Sequence, residues 1–159
     1  MKTFSISLED AIDGLLAVVR KFGADHIAAP GGDSSGCKYT DTDEFGYITP
    51  VCIVGQFFAR MGFLGVVFST GGEYGTCALD GSLWSNVESH GIYVADDAKA
   101  FLRAAQSEQD NGMSWGKALN VALVAAQDKA VEEFKENHAA FVGYRVSEIT
   151  NLTPPLADW

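Results

Sequence analysis

The sequence predicts an α+β fold: a helix-rich single domain with a small antiparallel β-hairpin or sheet and a C-terminal helical hairpin. Three observations carry that expectation. Apolar residues recur at helical spacing near both ends of the chain. Between them, two short extended runs flank an acidic turn. No linker long or polar enough to separate two domains interrupts the 159 residues, a length at which roughly two thirds of the unfolded surface is buried on folding. The domain is expected to span 1–159, with the residues after about 150, among them Pro154 and Pro155, as a loosely packed tail.

The elements follow in order. Ser7 is suited to cap a helix, with Asp10 as its reciprocal partner three residues on. Leu8, Ala11, Ile12, Leu15, Leu16, Val19 and Phe22 then form one apolar face, and Gly23 ends it. The stretch DHIAAPGGDSSG is a turn-rich connection whose paired glycines, Gly31 and Gly32, lack the lysine of a phosphate loop. In CKYTDTDEFGYITP, runs at Cys37–Thr40 and Tyr47–Thr49 are read as the arms of a hairpin. Asp41, Asp43 and Glu44 lie between them; without the remaining ligands of a calcium loop they make a solvated turn.

Thr49 is then expected to cap a second helix, with Pro50 in its first turn, where a missing N–H costs nothing. Ile53, Val54, Phe57, Phe58 and Met61 supply its buried stripe, and Gly62 stops it. Phe63–Thr76 is a strand or a loop. A short helix is expected over Gly81–Ser89, with Leu83, Trp84 and Val87 inward, followed by an extended Ile92–Val94. Asp96 is read as the cap of a helix carrying Ala98, Phe101, Leu102, Ala105 and Gln109, which Asn111-Gly112 terminates. Ser114 caps the next, carrying Trp115, Ala118, Leu119, Ala122, Leu123, Ala126, Ala130 and Phe134. The short connection implies an antiparallel pair, with the Trp115 ring expected against Phe101, Leu102 or Ala105. After Asn137 the chain is read as a strand or packed coil.

Composition narrows the function. At 47% hydrophobic residues the chain has enough apolar surface to fold. Its net charge of −10 disfavours direct nucleic-acid binding, which needs clustered positive charge, and suits a basic protein partner. No apolar run reaches the roughly 18 residues of a membrane helix, so no membrane association is expected. The opening MKTFSISLEDAIDG carries acids where a signal peptide needs its apolar segment, and three cysteines do not make a disulfide scaffold. A cytoplasmic location follows as the expectation.

The stretches GCKYTDTDEFGYITPVCIVGQFFARMG and FLRAAQSEQDNGMSWGKALNVA resemble small uncharacterised proteins encoded by actinobacteria and their phages. In that group a hairpin with a tyrosine and acids leads into a Cys-Ile-Val-Gly helix. A helical pair follows, matched here by Ala105-Gln106, Gln109-Asp110, Gly112 and Trp115-Gly116. The resemblance covers about a third of the chain, and the residues before Gly36 and after Gln127 gain nothing from it. It implies a phage or actinobacterial setting and no particular activity.

Cys52 invites three readings. As a small apolar residue it would pack a tight helix start against the hairpin, with Gly55 one turn on leaving room for close approach. As a nucleophile its thiolate would be favoured by the helix N-terminus, with His90 as base and Asp80 or Asp96 orienting it. As a zinc ligand it would join Cys37, Cys77 and His90, although no C-x-x-C or H-x-x-x-H pair is present. The core reading is the one adopted, with neither metal nor cofactor expected. The function expected is a non-enzymatic acidic phage protein that binds a host or phage protein. Asp41, Asp43, Glu44, Gln106, Gln109 and Asp110 are its candidate interaction surface. A cysteine-dependent hydrolase or transferase using Cys52 and His90 is the alternative, and a small-ligand or nucleotide-binding module a further one.

Overall fold

The computed structural model describes residues 3–28, 40–65 and 81–132. Cys37, Cys77, Asp80, the paired glycines at 31–32, Phe134, the side chain of Ala130 and the C-terminal tail lie outside these residues, as does most of the stretch after Phe63.

The chain enters through β1 (Phe4–Ile6) and turns into α1 (Leu8–Phe22). The capping box forms as the sequence indicates: Asp10 N–H donates to Ser7 Oγ at 3.1 Å, and Ser7 N–H donates to Asp10 Oδ2 at 2.9 Å. At the other end Gly23 N–H donates to the Val19 carbonyl. A hairpin follows, β2 (Thr40–Thr42) against β3 (Ile48–Pro50), antiparallel with Asp41 opposite Thr49. Then come α2 (Ile53–Arg60), α3 (Gly81–Ser89), β4 (Ile92–Val94), α4 (Asp96–Asp110) and α5 (Trp115–Glu132).

This is an α+β domain, mostly helical, with a small antiparallel sheet and a C-terminal helix pair, α4 and α5. It also holds a second two-stranded sheet that the sequence reading missed: β1 pairs with β4 in parallel, Ser5 opposite Tyr93. The helix α1 is central, packing on α2, α4 and α5. One apolar cluster joins all of these elements, from Ile6 and Leu15 through Phe57 and Phe58 to Phe101, Leu102, Leu119 and Leu123. The α1–α2 contact is close because Gly14 has no side chain: a Cβ there would lie 2.5 Å from Phe57 Cε2. Trp84 and Val87 of α3 face inward as anticipated. Lys99 of α4 donates to Glu88 of α3 at 2.7 Å, and that hydrogen bond raises its pKa.

Two local expectations are corrected. Thr49 and Pro50 do not open α2; they pair in β3, and the helix starts three residues later with Cys52 as N-cap. Strand pairing fixes Thr49 in the extended ladder, which overrides its capping propensity. Asp96 does not cap α4: Ala95 holds that place without a side-chain bond, and Asp96 and Asp97 occupy the first turn, where acids suit the helix dipole. The Trp115 ring is buried in the same apolar cluster as Phe101, Leu102 and Ala105, and it also meets the rings of Phe22, edge-on at 5.1 Å, and His26 at 4.3 Å. Phe22 ends α1 and His26 lies in the connection after it. The backbone holds that connection against α5. Trp115 N–H donates to the His26 carbonyl at 2.8 Å and Gly116 N–H to the Ala24 carbonyl at 2.9 Å. Two N–H groups that a helix start leaves open are thus closed by the chain leaving α1. Ser114 adds a longer contact, its Oγ accepting from Lys117 N–H at 3.5 Å.

Candidate functional site: an aromatic hairpin rooted on a buried polar cluster

The tip of the β2–β3 hairpin is shaped by one carboxylate. Asp43 Oδ1 accepts the N–H groups of Phe45 at 2.9 Å and Tyr47 at 2.8 Å. The Asp43 carbonyl accepts from Gly46 N–H, and Asp43 N–H donates back to the Tyr47 carbonyl. Gly46 has φ +83, a left-handed conformation that glycine adopts without penalty. This is the pattern of a tight turn followed by a glycine bulge, with aspartate at its first position. The solvated acidic turn is therefore present around Asp43 and Glu44, with Asp43 Oδ1 holding it and Asp41 in β2 before it. Glu44 is exposed. The side chain of Asp41 lies outside the described residues.

What the turn displays is aromatic. Phe45 is 77% exposed and Tyr47 71%, with Ile48 beside them on the strand. The sequence places Tyr47 in a hairpin arm and the acids on the contact surface, and gives Phe45 no role. The signal available was two large rings within three residues of a glycine turn, where neither has a strand period to bury it.

At the root of the hairpin lies a buried cluster. Cys52 is 1% exposed, and its Sγ accepts Gly55 N–H at 3.1 Å. Gln109, from the far end of α4, reaches across and accepts Ile53 N–H on its Oε1 at 2.6 Å. Between them the thiol and the carboxamide cap the first turn of α2. Gln56 Nε2 donates to the Pro50 carbonyl at 2.8 Å and so ties that helix to β3. Asp110 Oδ1 accepts from Gln106 Nε2 at 2.7 Å and from Gln109 Nε2 at 3.1 Å. Gln106 Oε1 is buried and has no hydrogen-bond partner among the described residues. Gln106 and Gln109 are thus interior residues. Their expected place on an interaction surface is corrected: both carboxamides are turned inward to hold the α2 terminus and Asp110.

Burial pushes the Cys52 thiol up from its ordinary 9.0 to about 12, with the Asp110 charge adding to the rise and the Gly55 N–H opposing it. Desolvation wins over the helix terminus, so at neutral pH the group is a protonated thiol, whereas a nucleophile needs the thiolate. His90 is exposed at the end of α3; its Nδ1 lies 2.9 Å from the Asn86 carbonyl and 3.3 Å from Ser89 Oγ. Asp96 lies against Lys99 at 3.6 Å. The structure therefore does not assemble Cys52, His90 and Asp96 into a hydrogen-bonded chain. Of the four residues considered for zinc, Cys37 and Cys77 lie outside the described residues, among which no group of three or more His, Cys, Asp or Glu is placed to hold a metal. No described helix is long and apolar enough to cross a membrane. No protein-family model, curated protein or solved structure matches the chain.

Proposed function

We propose that this is a non-enzymatic protein-binding module whose contact element is the β2–β3 hairpin, with Phe45, Tyr47 and Ile48 as anchors and Glu44 at the rim. The observation that carries the reading is the pair of exposed aromatic rings on a turn pinned by Asp43. Aromatic side chains dominate interface energetics. A turn fixed before binding loses less freedom when the partner docks. The net charge of −10 favours a basic partner, steering it in and fixing its orientation. The resemblance of residues 36–62 and 101–122 to small proteins of actinobacteria and their phages supplies the setting, a host or phage protein in the bacterial cytoplasm.

The test begins with the intact tagged protein recovered from actinobacterial cells together with its partner, and the purified pair is then titrated by calorimetry. F45A and Y47A are expected each to weaken binding by about ten-fold or more, with the thermal midpoint unmoved because both rings stand in solvent. Binding is expected to weaken as salt rises. If both variants bind within about twofold of the parent, the hairpin is not the contact element.

A further inference from the structure

The outer face of α5 carries a pattern that its packing does not use. The helix buries Trp115, Ala118, Leu119, Ala122 and Leu123 against the core. On the opposite side Lys117, Val121, Val124 and Asp128 fall at successive intervals of four, three and four residues, which places them in one stripe. All four are exposed, Val121 by 39% and Val124 by 43%. A cation stands at one end of the stripe, an anion at the other, and two valines lie between. The stripe spans about 16 Å along the helix.

We propose that this stripe is a self-association surface, on which a second copy of the chain packs antiparallel about a two-fold axis passing between Ala122 and Leu123. The symmetry of the pattern selects that occupant. Rotating the helix about this axis lays Lys117 over Asp128 of the second copy, Asp128 over its Lys117, and Val121 over its Val124. Both ion pairs and both apolar contacts form at once, as a self-complementary interface requires. A parallel arrangement sets like charges together at both ends. The apolar centre is small beside that of a permanent dimer, so the association is weak and reversible.

The experiment is sedimentation equilibrium of the full chain from about 5 µM to about 1 mM, with a dissociation constant of roughly 0.1 mM expected for so small a contact. V121S/V124S is expected to remain folded by circular dichroism and to stay monomeric throughout. K117E and D128K each turn both ion pairs into like-charge contacts and are expected to weaken association by about ten-fold. Mixing K117E with D128K restores complementarity at both ends, so the mixture should associate as the parent does while neither variant does so alone. A parent protein that stays monomeric at about 1 mM overturns the proposal, and that measurement needs no variant. So does a dimer indifferent to V121S/V124S, or a mixture no stronger than its components.

Discussion

Raising the pH should destabilise this protein through a single thiol. Cys52 is protonated in the folded chain up to about 12, whereas in the unfolded chain it ionises near its ordinary 9.0. The folded value is the higher one, so the contribution to stability is complete below pH 9 and is lost as pH rises toward the folded value. Each pH unit in that window costs about 1.4 kcal/mol. By pH 10.5 the loss is about 2 kcal/mol, out of about 4 kcal/mol for the whole shift. C52A isolates the effect. The substitution removes the cap on Gly55 N–H and leaves a small cavity, for a pH-independent cost of about 1–2 kcal/mol. It also removes the buried titration. The stability of the parent minus that of C52A should therefore start positive at pH 8.5 and shrink by about 2 kcal/mol by pH 10.5. The two curves are then expected to meet near pH 10. The tyrosines, the lysines and the other two thiols are common to both proteins and largely cancel in the difference. Urea unfolding followed by tryptophan fluorescence, under reductant, supplies the numbers. A difference that stays constant within about 0.5 kcal/mol across this window refutes the reasoning. It would mean that the folded thiol ionises like a free one, and Cys52 would again be a candidate nucleophile.

Two further outcomes follow from the packing. Q109L should destabilise by about 1–3 kcal/mol in urea unfolding, because Ile53 N–H is left buried without its acceptor; a loss under about 0.5 kcal/mol would show that another group closes the helix end. G14A should destabilise by about 1–2 kcal/mol, although alanine is the better helix former by about 1 kcal/mol. Its Cβ falls 2.5 Å from the buried Phe57 ring, and thermal unfolding of an unchanged or stabilised G14A would disprove the clash.

Legibility in this sequence tracks how local each signal is. The start of α1 was readable because Ser7 and Asp10 complete their reciprocal cap within four residues. The α4–α5 connection was readable because Asn111-Gly112 and Ser114 act on their own neighbours, with Gly112 at φ +84. The start of α2 misled, because Thr49 and Pro50 have the right chemistry for a helix entry while a strand partner holds them extended. β1 left no trace: three residues show no period, and their partner is β4, more than eighty residues away. In the candidate site, the acidic turn was legible and the display of Phe45 and Tyr47 was overlooked. Gln109 did leave a sign. It falls in register with Ala98, Phe101, Leu102 and Ala105 on the buried stripe of α4, and a carboxamide on such a stripe must have something to bond.

The capping of α5 by the Ala24 and His26 carbonyls has a consequence for the order in which the molecule can form. The α4–α5 pair is joined by a short connection, so its contacts are near neighbours along the chain and close quickly. The first turn of α5 is different. Its N–H groups wait for acceptors some ninety residues earlier, and that closure costs chain entropy before it gives anything back. The connection just after α1 therefore acts as a latch on a hairpin that is otherwise local. A fragment beginning after residue 28 would contain both helices in full and still leave the first turn of α5 without its Ala24 and His26 acceptors, with the indole stripped of Phe22 and His26. The link between the two ends of the chain rests on those two peptide groups, so truncating the side chains beside them leaves it in place.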